Sequence, residues 1–339
     1  MNNFAYQKAA DTSDALHKVA QGTASSFIAG GTNLIDLWKY NLVHPENLID
    51  INGLRDYKSI NKTEDGGLLL GALVTNSATA YNEHIVEKYP LLSKAILAGA
   101  SAQIRNSATN GGNLLQKTRC YYFYDAASPC NKREPGTGCP AKEGLNRMHA
   151  IVGYSEDCIA VFPSDMCVAL AALEAVVNVN GPEGERKIPF EDFHRLPGNT
   201  PHIDNNLAKN ELITSISLPK EGFAENYSYL KLRDRNSYAF ALVSVATGIK
   251  LKDGKIEKIR IVLGGIAHKP WRVTEAEDFL IDKEANVDNF MAAAEIILKG
   301  AKGFGDNDFK IDLAKRAIVR NGMMALNPES QRPGAQPSL

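Results

Sequence analysis

The chain of 339 residues is short of cysteine and of net charge, and each shortage removes a class of function. A formal charge of −1, from 38 basic and 39 acidic residues, leaves no electrostatic footprint for a nucleic-acid backbone. No stretch approaches the ~20 apolar residues of a membrane span. The opening residues, MNNFAYQKAADTSD, lack the apolar core of a signal peptide. The chain by itself therefore reads as cytoplasmic, with no nucleic-acid partner and no membrane span. Five cysteines are too few for a disulfide framework at this length. They are also confined between Cys120 and Cys167, which points to local metal chemistry plus one spare core thiol.

What is present is ordinary soluble-protein composition, 44% hydrophobic and 23% charged, in a chain long enough for two domains with sizeable cores. Ser13 is placed to cap a short helix ended by Gly22, and Ser26 to Ala29 reads as a buried strand. The glycine turn Gly30-Gly31-Thr32-Asn33 leads into a helix from Leu34 to Trp38 and a strand from Asn47 to Ile51. Leu68 to Thr75 reads as a strand, and His84 to Ala100 as a helix broken near Pro90. Ser164 and Asp165 start an Ala/Leu-rich helix, and Ala175 to Asn180 pairs with Arg186 to Pro189 as a hairpin. Glu211 to Pro219 closes this first unit, residues 1–221, and residues 222–326 form a second. In it, strands at Tyr227 to Arg233, Phe240 to Leu251 and Lys258 to Gly265 precede helices at Thr274 to Leu280, Val287 to Lys299 and Ile311 to Met324. Asp253-Gly254 is a hairpin turn signal, and residues 327–339, rich in Pro, Ser and Gln, read as a flexible or partner-bound tail.

Within the first unit, residues 117–158 differ in kind: dense in Cys, Pro, Gly, Asn and Arg, and poor in periodicity. Loops beyond about 12–15 residues are uncommon in compact domains, so an ordered insertion of this length needs something to organise it. A bound cluster would serve.

Glycines after a strand permit positive φ and close approach, so amide N–H groups can point at phosphate oxygens while Thr32 and Asn33 add side-chain donors. Alone, such a turn is more often a plain tight connection, and it lacks the GxGxxG spacing of the nicotinamide fold. A second stretch with the same chemistry, Ile104 to Asn113, favours a dinucleotide diphosphate.

The motifs AGGTNLI (Ala29 to Ile35), GALVTNS (Gly71 to Ser77), ASAQIRNSATNGGNL (Ala100 to Leu114) and PSDMCVAL (Pro163 to Leu170) together resemble the FAD subunit of the xanthine dehydrogenase and carbon monoxide dehydrogenase family. YLKLRDRNSYAFALVSVA (Tyr229 to Ala246) and GGIAHKPWRVTEAE (Gly264 to Glu277) resemble its C-terminal flavoprotein domain. The resemblance implies an α+β fold: a two-lobed FAD-binding domain of the vanillyl-alcohol oxidase (PCMH) type, then an α+β C-terminal flavoprotein domain. It implies FAD bound through Ile28, Ala29, Gly30, Gly31, Thr32, Asn33 and Leu34, and through Thr109, Gly111, Gly112 and Asn113, with Thr75 and Ser107 nearby. Asp165 would meet an FAD hydroxyl or the adenine, and Lys231 would approach the flavin.

Cys120, Cys130, Cys139 and Cys158, with nine, eight and eighteen residues between them, match neither a zinc-ribbon nor a ferredoxin spacing. Their position after GGNLLQKTRCYYFYD is similar to the flavin subunits of 4-hydroxybenzoyl-CoA reductase and of bacterial molybdenum aldehyde oxidoreductases, which carry a [4Fe–4S] cluster. Cys167, on the Ala/Leu helix, is assigned to packing, as are Trp38 and Trp271, and His149, inside the insertion, is either a ligand or a surface residue, with the surface preferred. Tyr121, Tyr122 and Phe123 would shield a cluster, although a tyrosine-rich strand would look the same.

The resemblance implies an electron relay with no catalytic acid, base or nucleophile on this chain. A large partner subunit would hold the molybdopterin cofactor, a small partner would hold two [2Fe–2S] clusters, and this chain would pass electrons to an external acceptor. Aldehyde oxidation is the preferred overall reaction, with hydroxybenzoyl-CoA-reductase-like or xanthine-dehydrogenase-like activity as the alternative. Such a subunit can also reach the periplasm by co-export on a partner's twin-arginine signal. The readings from other classes are a zinc-stapled binding scaffold and a free-standing flavin oxidase.

Overall fold

In the computed structural model, residues 2–22, 24–208 and 210–331 are described, so the tail beyond Gln331 lies outside the described residues. The first lobe is a small parallel sheet of strands β1 (Ala5–Lys8), β2 (Ser25–Ile28) and β3 (Asn47–Asp50), in the order β1-β3-β2. The helix Thr12–Ala20 covers it, burying Ala15 and Val19 against Ile49 and Leu54. It starts slightly before the expected Ser13 because the extended Asp11 accepts from the Asp14 amide at 2.8 Å and supplies the cap.

The second lobe is an antiparallel sheet of β4 (Ile60–Lys62), β5 (Leu68–Gly71), β6 (Val176–Gly181), β7 (Gly184–Pro189) and β8 (Leu212–Leu218), ordered β4-β5-β8-β6-β7. The predicted β6–β7 hairpin is present, with Val177 and Val179 inward and polar residues between them. The strand expected over Leu68 to Thr75 stops at Gly71, because the Leu73 amide turns to the Tyr57 carbonyl at 2.9 Å and Thr75 caps the next helix. The helical run before Gly99 divides into Glu83–Lys88 and Pro90–Ala98, with Pro90 opening the second piece where its missing N–H costs nothing.

The C-terminal unit is an antiparallel sheet of β9 (Asn226–Leu232), β10 (Val243–Lys252), β11 (Lys255–Gly264) and β12 (Trp271–Arg272), ordered β12-β11-β10-β9. Helices Thr274–Leu280, Val287–Ile297 and Phe309–Ala325 cover it around Phe290, Ile297 and Ile318. The fully buried Asn321 side chain donates to the carbonyls of Ser228 and Val245 at 3.2 and 3.1 Å, pinning the last helix to β9 and β10. Beyond that helix, Gln331 donates to the Tyr227 carbonyl at 2.8 Å. Among the described residues no helix is long and apolar enough to cross a membrane.

One helix joins the units. Asp165–Ala172, capped by Ser164 Oγ accepting from the Cys167 amide at 3.1 Å, is apolar on every side because it has neighbours on every side. It packs on Pro90–Ala98 in one direction and on β10 and β11 in the other, and Cys167 on it is fully buried. Trp38 is likewise buried, in agreement with its packing assignment.

Leu170, fully buried on this helix, should cost about 2–5 kcal/mol when cut to alanine. Leu145→Ala, at a side chain 69% exposed, should cost less than about 0.5 kcal/mol. Thermal unfolding of the two variants separates them, and equal losses would mean that this helix does not carry the joint between the units.

Candidate functional site

The turn after β2 is shaped by close backbone approach. A Cβ on Gly30 would fall 1.9 Å from the Ser107 carbonyl oxygen, so only glycine fits, and Ser107 Oγ returns a hydrogen bond to the Gly30 carbonyl at 3.0 Å. Gly31 is left-handed at φ +69°. The Ile35 and Leu37 amides turn inward to the Gly31 and Asn33 carbonyls at 2.9 and 3.0 Å. Among the described residues, nothing accepts from the amides of Gly30, Gly31, Thr32, Asn33 or Leu34. Asn33 Oδ1 accepts from the Lys117 amide at 3.0 Å, while Asn33 Nδ2 is buried without a partner in the described chain. A row of free N–H groups on a left-handed bend, with an orphaned buried amide, has the donor chemistry of an anion cradle. The diphosphate of FAD fits it.

The second loop is different. Most of its amides are already spent: Asn110 donates to the Val74 carbonyl at 2.9 Å, Gly111 to Ala72 at 2.8 Å, and Asn113 to Thr109 at 2.9 Å. Thr75 and Thr109 form one antiparallel bridge and each caps the short helix that follows it. Asn113 donates to Asn76 Oδ1 at 2.7 Å and accepts from Ser164 Oγ at 2.6 Å. Gly111 lies close against Ala72, whereas Gly112 and Ser107 are exposed. The two stretches read from the sequence as equivalent are thus brought together but do different things. The first presents donors, and the second scaffolds the first through Ser107. The buried network of Asn76, Asn110 and Ser164 escaped sequence reading, because asparagines at helix starts look like ordinary caps.

Asp165 and Lys231 form a buried ion pair at 2.8 Å, with side chains 9% and 4% exposed. Tyr229 donates to the other Asp165 oxygen at 2.6 Å. Burial and the Asp165 charge push the Tyr229 hydroxyl far up, which keeps it a donor. Lys231 also holds the Ala98 carbonyl at 3.1 Å, so the pair ties β9 to the helices of the second lobe. Asp165 lines a cleft of about 460 Å³ together with Ser164, Phe240 and Gly264.

Next to that cleft, Cys120, Cys130, Cys139 and Cys158 line one cavity within the insertion. The insertion is a continuous irregular path interrupted by a helical turn, Tyr121–Tyr124, and a 3-10 turn, Pro140–Lys142, so the tyrosine-rich segment is helical and not a strand. Burial pushes the Cys120 thiol up to about 12 and Cys158 up to about 11, and it raises Cys139, with the neighbouring sulfurs adding to each shift. Backbone N–H groups of Tyr122 and Phe123 face Cys120, and those of Ala141 and Ile159 face Cys139. Thiols whose ionisation is opposed by burial and by neighbouring sulfurs need a cationic centre to become thiolates, and N–H groups aimed at sulfur suit iron–sulfur ligation. The donor chemistry therefore fits a cluster. Among the described residues, no three His, Cys, Asp or Glu side chains close on a single metal ion.

Two groups at this cavity carry no sequence signal of their burial. His149, read as a surface residue, is 2% exposed, because Lys310 Nζ and Asn307 Nδ2 reach up to its carbonyl at 2.7 and 3.3 Å and draw it inward. Burial depresses its imidazole to about 4, so it is neutral. Lys132 is buried beside Cys158 and donates to Asp204, which also takes Lys117. Burial raises the Asp204 carboxyl, but the two ammonium groups outweigh it and hold it at about 2. No local motif marks such long-range charge pairing.

Residues 2–221 match the family described as the FAD binding domain in molybdopterin dehydrogenase, and residues 227–321 match the CO dehydrogenase flavoprotein C-terminal domain. The chain is 48% identical over 320 residues to the aldehyde oxidoreductase FAD-binding subunit PaoB of Escherichia coli, covering 94% of this chain and 97% of that protein. It is 29% identical to the glyceraldehyde dehydrogenase medium chain of Sulfolobus acidocaldarius, over 84% of this chain and 83% of that one. Among solved structures, carbon monoxide dehydrogenase from Hydrogenophaga pseudoflava shares the fold at a TM-score of 0.75 and 23% identity, covering 96% of this chain and 97% of that chain. The α+β architecture expected from sequence, two lobes and a C-terminal flavoprotein unit, is the one found. The two matched regions span nearly the whole chain, and the protein therefore belongs to the FAD-binding subunits of the xanthine dehydrogenase and carbon monoxide dehydrogenase family of molybdenum hydroxylases.

Proposed function

We propose that this chain is the electron-relay subunit of a molybdenum-dependent aldehyde oxidoreductase, holding FAD at the first-lobe turn and a [4Fe–4S] cluster between Cys120, Cys130, Cys139 and Cys158. The observation that carries the flavin assignment is the row of unpartnered amides from Gly30 to Leu34. The shared cavity of the four cysteines supports the cluster, and the relative at 48% identity, an aldehyde oxidoreductase FAD-binding subunit, supports the reaction. When bound, FAD supplies a carrier that accepts electrons singly and releases two together.

The chain's own residues then bind and orient. Gly30 to Leu34 and Asn33 Nδ2 meet the diphosphate, and Thr32 adds an exposed hydroxyl beside them. The second loop, through Thr75, Ser107, Thr109, Gly111, Gly112 and Asn113, keeps the first in place. Asp165 and Lys231 brace the cleft wall as an ion pair. Substrate oxidation takes place on a large molybdopterin-bearing partner, a small partner with two [2Fe–2S] clusters feeds electrons in, and an external acceptor takes them away. No side chain here acts as acid, base or nucleophile in that scheme.

Replacing Cys130 with serine in the complete complex should remove about four iron atoms per chain, as one [4Fe–4S] cluster requires, while the flavin absorbance and the [2Fe–2S] signals persist. Unchanged iron would contradict the ligand assignment. Gly30→Val should lower the bound FAD at least tenfold, a loss of about 1.4 kcal/mol or more in binding, because its Cβ collides with the Ser107 carbonyl. Full flavin occupancy in a folded Gly30→Val complex would place the cofactor elsewhere.

A further inference from the structure

His149 is the residue that the cavity makes conspicuous and that the electron-relay scheme leaves without a task. Its Nε2 lies 3.1 Å from Cys120 Sγ. Among the described residues its other ring nitrogen, Nδ1, is buried without a hydrogen bond of good geometry, and the Asn146 carbonyl is the ring's other polar neighbour beside the sulfur. Its backbone is fixed from two sides: its amide donates to Asn146 at 2.8 Å, and its carbonyl is held by Lys310 and Asn307 of the C-terminal unit. Cys120 and His149 line both the cleft beside Asp165 and the cysteine cavity, so together they form part of the wall between the two.

We propose that His149 is a positioning residue for the cluster, its imidazole Nε2–H donating to the Cys120 sulfur and raising the cluster's reduction potential. The inference rests on the cluster proposed above. A metal-bound cysteine sulfur carries no proton, so the contact is a hydrogen bond only with the proton on Nε2. A donor on a ligand sulfur offsets the negative charge gained on reduction and so stabilises the reduced cluster. The clamp from Lys310 and Asn307 makes the donor depend on correct docking of the C-terminal unit, whose last helix carries Lys310.

The test is a redox titration of the intact complex, followed by electron paramagnetic resonance, in the wild type and in His149→Phe and His149→Gln. Phenylalanine should lower the potential of this cluster alone, leaving the flavin and the [2Fe–2S] centres unmoved. Glutamine, which keeps an N–H donor, should bring it back towards the wild-type value. An unchanged potential in a His149→Phe complex with full iron content overturns the proposal. Should the phenylalanine variant lose its cluster, the wild type decides: labelled with ¹⁵N-histidine, its reduced cluster should show coupling to a histidine nitrogen, and absence of that coupling overturns the proposal. His268, the other histidine near the cavity, has its ring nitrogens taken by Lys132 and the Arg195 carbonyl at 2.8 and 3.0 Å. Wild-type complex without the additional iron and sulfide would instead remove the cluster reading itself, and this inference with it.

Discussion

The close approach of the Gly30 backbone to the Ser107 carbonyl is the constraint on which the cofactor region depends. It brings the two lobes into contact at a point where no side chain can stand between them. With Gly31 bent into the left-handed region, the following amides turn away from their own chain, and five donors in succession are left open. Such groups are costly when buried unpaired, so a turn of this kind is stable only with an anion or water against it. The second loop meets its own hydrogen-bond needs through Val74, Ala72 and the asparagine network, which is what makes it stiff enough to hold the first.

The insertion obeys a different constraint, the burial of charge. Burial makes Cys120, Cys139 and Cys158 resist ionisation, and the buried Lys132 ammonium beside Cys158 eases this. Lys132 is in turn balanced by Asp204, which lies well outside the insertion in sequence. Lys310 reaches the same region from the last helix, its ammonium pulled down to about 7 by burial and satisfied by the carbonyls of His149 and Gly265. The irregular segment is thereby held to both the second lobe and the C-terminal unit by polar contacts, since it has few apolar side chains to offer a core.

Most regular elements were legible because their signals are local. Pro90, Ser164, Asp253-Gly254 and the alternation of Val177 and Val179 mark helix starts, a turn and a buried strand face without reference to the rest of the chain. The strand from Leu68 was read too long because its end is set by Tyr57, a residue outside the periodic run. Within the site, the glycine turn and the four cysteines were visible as residue types. The unequal roles of the two loops were not, since they depend on which amides already have acceptors. His149 was misread for a similar reason: its burial is imposed by Lys310 and Asn307, more than 150 positions later.

In this reading the diphosphate of FAD rests on the amides of Gly30 to Leu34. An experimental structure of the flavin-loaded complex tests it most directly. Diphosphate oxygens should lie within about 3 Å of those amides and of Asn33 Nδ2. A diphosphate bound elsewhere, with only water against this turn, would contradict it.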